Sequence, residues 1–355
     1  MPVSAELPPD QKRIDAWLER ITGRAGPFPL ALIPGGASPR RFYRTEAFGR
    51  RVIVMLVPPD TGDVAFARER GRGWPFLEVR ELLERAGVRV PALLAASVAD
   101  ELLLVEDLGA TLATHLERVP DDREALYRLA VTDLARAQPA LADLPADSVV
   151  RLRAFDAALF GAELDHFWDW AIAARDVAAP HAPFQRARDY LLNELTALPR
   201  GFTHRDYQSR NLVVTPGPER GAGETPHALG WIDFQDALLG PRAYDLVALL
   251  CDSYQPFDRG FVEARLDDYA TARHLGPSER RALGREFDLL TLQRKLKDAG
   301  RFVFIEKKRG DASFLPFVRP TLDIVLNALD RVADVPELGA LRPVVVAART
   351  ASTTR

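Results

Sequence analysis

A two-lobed α+β chain is the fold class this sequence predicts, and three observations carry that expectation. The chain has 355 residues, more than one ordinary domain, and at 47% hydrophobic and 27% charged it has the composition of a soluble globular protein with a large core. In its first hundred or so residues, apolar runs are short and broken by Gly and Pro, as strands and turns are. From Thr111 onward apolar residues recur at spacings of three and four, the pattern of amphipathic helices. We therefore expect a small β-rich N-lobe in residues 1–105, a hinge in 106–110, a larger and mainly helical C-lobe in 111–347, and a frayed tail in 348–355.

Taken in order, Gln11 to Ile21 places Ile14, Trp17, Leu18 and Ile21 on one face and reads as a short helix. Leu30 to Ile33, the turn from Pro34 to Pro39 and the run Arg51 to Val57 read as strand, tight turn and strands. Gly35, Gly36, Ala37 and Ser38 are small enough for backbone N–H groups to approach an anion, although an ordinary hairpin turn has the same composition. Trp74 to Gly87 reads as a helix ending at glycine. Leu102 to Val105 is a short strand running into the polar Glu106-Asp107-Leu108-Gly109, where a hinge would fall, before Thr111 caps the next helix.

Beyond the hinge, helices are expected over Thr111 to Val119, Arg123 to Gln138, Glu163 to Arg175 and Arg186 to Leu198. After two strands joined by the Gly/Pro-rich loop Thr215 to Pro226, helices are expected over Tyr244 to Tyr254, Phe261 to His274, Pro277 to Phe304 and Thr321 to Val332.

Composition excludes several function classes. Net charge is −3, with 47 Lys and Arg against 50 Asp and Glu, so the overall field does not favour nucleic acid or a membrane surface. Cys251 is the single cysteine, no Cys/His cluster has zinc-ligand spacing, and the first ten residues lack a signal-peptide pattern. No stretch reaches the roughly 18 apolar residues of a membrane span, so a cytoplasmic protein is expected; oligomeric state is left open. Lysine occurs only at Lys12, Lys295, Lys297, Lys307 and Lys308.

The chemistry concentrates in Phe202 to Val214 and Trp231 to Phe234. The spacing His204-Arg205-Asp206, four residues, then Asn211 is that of a kinase catalytic loop, in which the Asp orients the acceptor hydroxyl and the Asn binds a metal ion. A second carboxylate must hold magnesium while the ion bridges nucleotide phosphates, and Asp233, leaving the apolar run Leu229 to Ile232, answers that need. Singly, each of these residues is also an ordinary turn or cap residue; together, in this order, they form a phosphoryl-transfer constellation. ATP and Mg2+ are the cofactors it calls for.

This arrangement resembles the aminoglycoside phosphotransferase and choline kinase-like superfamily, with a bilobal protein-kinase-like fold. Four pieces make it similar in particular to the bacterial anomeric N-acetylmuramate and N-acetylglucosamine kinases of peptidoglycan (cell-wall) recycling. They are Gly36 to Arg44, Leu104 to Gly109, His204 to Leu212 with Ile232 to Ala237 and Gly240 to Leu246, and Leu292 to Lys297. The resemblance implies an ATP-dependent transfer to a sugar hydroxyl, giving a sugar 1-phosphate. It also implies the absence of the strand lysine that most kinases of this fold use; Met55-Leu56 stands there, and Arg40, Arg41 and Arg44 are the candidates for the missing charge.

Nucleotide-binding candidates are thus Gly35, Gly36, Ser38, Arg40, Arg41, Arg44, Glu106, Asp107 and Leu108. Gln208, Arg210, Asp236, Arg294 and Lys297 are candidates for the small-molecule sugar, with His204 and Asp245 as structural support. Two alternatives stay open. An antibiotic or other small-alcohol kinase shares the constellation, and a catalytically silent nucleotide-binding regulator is suggested by the missing lysine, against which stands the retention of Asn211 and Asp233.

Overall fold

The computed structural model describes residues 10–33, 39–58, 61–71, 73–217 and 226–352, apart from the side chains at 63 and 66. Gly35, Gly36 and Ser38 of the expected phosphate loop lie outside the described residues.

The N-lobe is built on one antiparallel sheet. Its strands are β1 (Ala31–Ile33), β2 (Arg41–Ala47), β3 (Arg50–Leu56), β4 (Leu93–Ser97) and β5 (Leu102–Glu106), in spatial order β1-β2-β3-β5-β4. Strand periodicity sends alternate residues to opposite faces. Tyr43, Val52, Val54, Leu56, Leu102 and Leu104 therefore meet Ile14, Trp17 and Leu18 of α1 (Gln11–Thr22) in one small core. Phe42, Ile53, Met55 and Val105 face the other way, onto the interlobe cleft. Between β3 and β4 lie α2 (Gly62–Glu69) and α3 (Pro75–Arg85).

Helix α3 ties the lobes together. Phe76 stacks on Phe234 with ring centroids 5.0 Å apart, and Glu78 Oε1 accepts the N–H of Val149 at 2.6 Å. No lysine on β3 reaches for a helix glutamate; Glu78 instead anchors C-lobe backbone.

The C-lobe starts at α4 (Leu112–Arg118), whose N-cap Thr111 accepts the Thr114 N–H. It continues through α5 (Arg123–Ala140), α6 (Ala157–Phe167) and α7 (His181–Ala197) to four short strands: β6 (Arg200–Thr203), β7 (Leu212–Pro216), β8 (His227–Trp231) and β9 (Leu238–Pro241). β7 and β8 form one antiparallel pair, β6 and β9 another. Helices α8 (Tyr244–Leu250), α9 (Arg259–Ala272), α10 (Pro277–Arg309), α11 (Val318–Arg331), α12 (Pro336–Gly339) and α13 (Arg342–Ala351) complete the lobe. Their apolar faces, with α3 and the cleft side of β3 and β5, make one continuous core.

Several boundaries differ from the sequence expectation. The helix expected over Glu163 to Arg175 begins earlier, at Ala157, where the Asp156 side chain accepts the Leu159 N–H. It then loosens into a π turn over Trp168–Ile172 and a tight turn over Ala173–Arg175. The expected fraying from 348 onward is corrected as far as the described residues go. Val344, Val345 and Ala348 form one buried face of α13, and packing against α11 holds that helix to Ala351. Strands β4 and β9 and helices α2 and α12 were not expected, being too short for periodicity to mark.

Candidate functional site

The turn after β6 carries His204, Arg205 and Asp206, and its shape is set by a buried carboxylate on α8. Asp245 accepts the backbone N–H of His204 at 2.7 Å and of Arg205 at 2.9 Å. Arg205 is at φ 78°, a left-handed conformation that costs a non-glycine residue about 1–3 kcal/mol and is held here by those two bonds. Burial pushes the Asp245 carboxyl up to about 7 against the two N–H donors. Buried in the core, the His204 ring has its pKa pushed down to about 4, so it is a neutral packing group against Tyr207 and Trp231. The support roles expected for His204 and Asp245 rest on this geometry.

Asp206 faces the cleft. Burial alone would raise its pKa, but Arg294, then Lys297 and Arg205, outweigh burial and hold the carboxylate below its usual range. Arg294 donates to the Arg205 carbonyl at 2.7 Å and lies 3.4 Å from Asp206 Oδ1, with its guanidinium 5.0 Å from the Tyr244 ring centroid. It is buried and bonded to the turn that carries Asp206: α10 passes beneath that turn and points Arg294 at it, while the residue still lines the cleft as a sugar candidate would.

The second half of the site sits at one end of the β7–β8 hairpin. Asn211, just before β7, donates from Nδ2 to the Asp206 carbonyl at 2.9 Å and to Asp233 Oδ2 at 3.4 Å. Asp233 follows β8 at φ 63° and takes a hydrogen bond from Gln235 Nε2 at 3.0 Å; the same amide donates to Asp236 at 3.1 Å. Its shelter in the cleft and the nearby Asp206 charge raise the Asp233 pKa. A cation there would relieve that crowding. With the Asn211 nitrogen taken by a carbonyl, its amide oxygen and the Asp233 carboxylate offer the all-oxygen donors that magnesium prefers.

One cleft between the lobes gathers most of the expected residues. Arg40, Arg44, Glu106, Asp107, Leu108, Asp206, Gln208, Arg210, Asn211, Asp233, Asp236, Arg294 and Lys297 all line it. Arg41 does not: alternation along β2 turns it to the other face, where it pairs with Asp10 at 3.0 Å. Arg44 lines the cleft beside the chain leaving β5 and pairs there with Asp107 at 2.7 Å, which braces β2 against that segment. Arg40 is buried and near enough to Asp233 for its charge to lower that carboxylate's pKa. Glu106 is held by Arg89 and by the N–H of Ala92. Arg210 stacks on Tyr254, 3.6 Å from the ring centroid.

Sequence reasoning missed Glu163, a buried carboxylate on α6 that receives Gln293 Nε2 at 2.8 Å and lies 3.3 Å from Arg205. It missed Asp298, which pairs with Lys295 at 2.7 Å and Lys297 at 3.4 Å and whose pKa those charges, against burial, hold far below normal. Nothing in periodicity marks either residue: Glu163 is one carboxylate on the otherwise apolar face of α6, and Asp298 stands among the charged residues of α10.

The pattern of the phosphotransferase enzyme family matches residues 29–283. The chain is 30% identical over 343 residues to an N-acetylmuramate/N-acetylglucosamine kinase of Pseudomonas putida, covering 94% of this chain and 93% of that one. It is 33% identical over 326 residues to a protein of the same name from Pseudomonas aeruginosa, covering 88% of each. Among solved structures, the ADP-bound aminoglycoside phosphotransferase APH(2'')-Ib matches with a TM-score of 0.57 at 14% identity, covering 90% of this chain and 99% of that one. Choline kinase LicA from Streptococcus pneumoniae matches with a TM-score of 0.58 at 14% identity, covering 89% and 98%. These two likenesses establish the fold.

Proposed function

Because the chain belongs to the phosphotransferase enzyme family, we propose that it is an ATP-dependent sugar kinase acting on the anomeric hydroxyl of N-acetylmuramate and N-acetylglucosamine. The observation that carries the reading is the meeting of Asp206, Asn211 and Asp233 at the floor of one cleft, in a chain whose named relatives align along most of its length.

In this reading residues 1–105 and 111–347 are the two lobes and 106–110 the hinge. The apolar roof of Ile53, Met55 and Val105 takes the base, beside the hinge backbone from Glu106 to Leu108. Arg40 supplies phosphate-binding charge in place of the absent strand lysine. Asn211 and Asp233 hold Mg2+, which neutralises phosphate charge when bound. Asp206 orients the anomeric hydroxyl and takes its proton as the oxygen bonds to the γ-phosphorus and ADP departs. An anomeric hydroxyl is more acidic than an ordinary alcohol, so a carboxylate held low by Arg294 suffices as acceptor, and positioning supplies most of the rate.

The charge of the acceptor side favours this substrate over an antibiotic polycation. Arg205, Arg210, Arg294, Lys295, Lys297 and Arg301 line the cleft there against Glu163, Asp206, Asp236, Asp252 and Asp298. Lys297, whose ammonium is kept charged against burial by neighbouring anionic partners, is the reader of the muramate lactyl carboxylate; Gln208, Arg210 and Asp236 flank the sugar.

The test is ADP release with each sugar, with the phosphorylated position read by 31P NMR. Sugar 1-phosphate from both sugars is expected, with Asp206→Ala reduced about 10²–10⁴-fold. Lys297→Ala should cost N-acetylmuramate more kcat/KM than N-acetylglucosamine. Product phosphorylated at the 6-position, or turnover of aminoglycosides with neither sugar accepted, would overturn the assignment.

A further inference from the structure

Away from the cleft, two neighbouring turns and a strand more than a hundred residues on bring metal-type ligands to one point. His115 lies in the last turn of α4, Asp122 ends the short 3-10 turn Pro120–Asp122, and His227 opens β8. Both imidazoles address the same carboxylate oxygen: His115 Nε2 is 2.7 Å and His227 Nε2 3.4 Å from Asp122 Oδ2. The rings meet edge to face with centroids 5.2 Å apart, and one ligand atom from each residue lies within 4.8 Å of the others.

We propose that His115, Asp122 and His227 form a second metal site, which takes a divalent transition ion of the zinc class and leaves a fourth position for water. In a tetrahedral site with bonds of about 2.0–2.1 Å, neighbouring donors stand about 3.3 Å apart. The His227 to Asp122 separation already has that value. The His115 hydrogen bond must open by about half an ångström, and the third separation, no more than 4.8 Å, must come to the same value, both within reach of side-chain rotation. Side-chain exposures of 19% for His115, 32% for Asp122 and 25% for His227 leave a path for the ion and its water.

Ligand chemistry separates this site from the nucleotide site. Two imidazoles and one carboxylate suit zinc, nickel or cobalt, whereas the all-oxygen set of Asn211 and Asp233 suits magnesium. The ion would pin the hairpin end bearing His227 to α4, immediately beyond the hinge. The opposite end of that hairpin carries Asn211 and Asp233. Its first effect is therefore on the stability of this corner.

The experiment uses the full chain stripped of metal and titrated with Co2+ alone, followed by Zn2+ competition. One equivalent of Co2+ should give the visible absorption of a four- or five-coordinate ion, Zn2+ should displace it, and Zn2+ should raise Tm by several degrees. Both signals should vanish in the His115→Ala/His227→Ala double variant and persist in Asp233→Asn. X-ray absorption of the zinc-loaded wild type, which needs no variant to fold, should count two imidazoles. Absence of the cobalt band, its survival in the double variant, its loss in Asp233→Asn, or fewer than two imidazoles would each overturn the proposal and leave a metal-free His–Asp–His cluster.

Discussion

Arg294 and His204 show how single side chains set the chemistry of the catalytic turn. With its guanidinium 3.4 Å from Asp206 and on the Arg205 carbonyl, Arg294 both positions the turn and keeps the carboxylate ionised. Arg294→Ala should lower kcat about 10- to 150-fold, the worth of a charge-assisted hydrogen bond of about 1.5–3 kcal/mol. It should also move the acid limb of the kcat/KM profile to higher pH, because Asp206 loses the first of the charges that depress its pKa. Arg294→Lys should restore part of the pH limb and less of kcat, and an unmoved acid limb in Arg294→Ala would refute the assignment. His204 contributes to stability with the opposite charge logic. Its pKa is about 4 folded against 6.5 in the unfolded chain, so above pH 6.5 it is neutral in both states and costs nothing. Between pH 6.5 and 4 only the unfolded chain takes up the proton, and this group removes about 3 kcal/mol of stability as pH falls through that window. Urea unfolding of wild type and His204→Gln from pH 7 to 4 should show that part of the slope missing in the variant.

At the scale of elements, α10 organises the C-lobe, and two of its glycines do different work. Gly300 lies where α10 crosses α6: a Cβ there would meet the His166 carbonyl oxygen at 2.6 Å and the Phe167 Cα at 2.8 Å, both backbone atoms that cannot swing away. At Gly284 a Cβ would meet nothing within 4 Å. Helix propensity favours alanine over glycine by about 1 kcal/mol at both positions. Gly284→Ala should therefore stabilise by roughly that amount, while Gly300→Ala should destabilise by about 1–3 kcal/mol as the crossing is forced apart. Thermal unfolding of the two variants checks this, and the same sign at both would contradict the close crossing. Close approach here also brings Arg294 beneath the catalytic turn and Gln293 onto Glu163.

For the whole molecule, the two lobes share one core and are latched by Phe76 on Phe234 and by Glu78 on the Val149 N–H. A nucleotide bound in the cleft touches both lobes, so it should stabilise the protein as a unit. At 100 times its Kd, ATP with Mg2+ should add about 2.7 kcal/mol, read as a rise in Tm. In Asp233→Asn the magnesium-dependent part of that rise should disappear, and an undiminished rise would argue against Asp233 as a metal ligand. The order and spacing of His204, Asp206, Asn211 and Asp233, the β-rich start and the helical remainder were legible in the sequence because each is written in local periodicity or short-range spacing. Arg41 was misread because strand phase decides which of three neighbouring arginines faces the cleft, and β2 turns Arg41 away from it. Spacing offered Arg294 only as a sugar candidate, and its bond to the Arg205 carbonyl exists because α10 crosses beneath the turn. Glu163, Asp298 and the His115–Asp122–His227 cluster were invisible for the same reason. Their partners are tens to more than a hundred residues away or on helices that read as exposed, and only close packing of those segments makes a carboxylate a brace or two histidines neighbours.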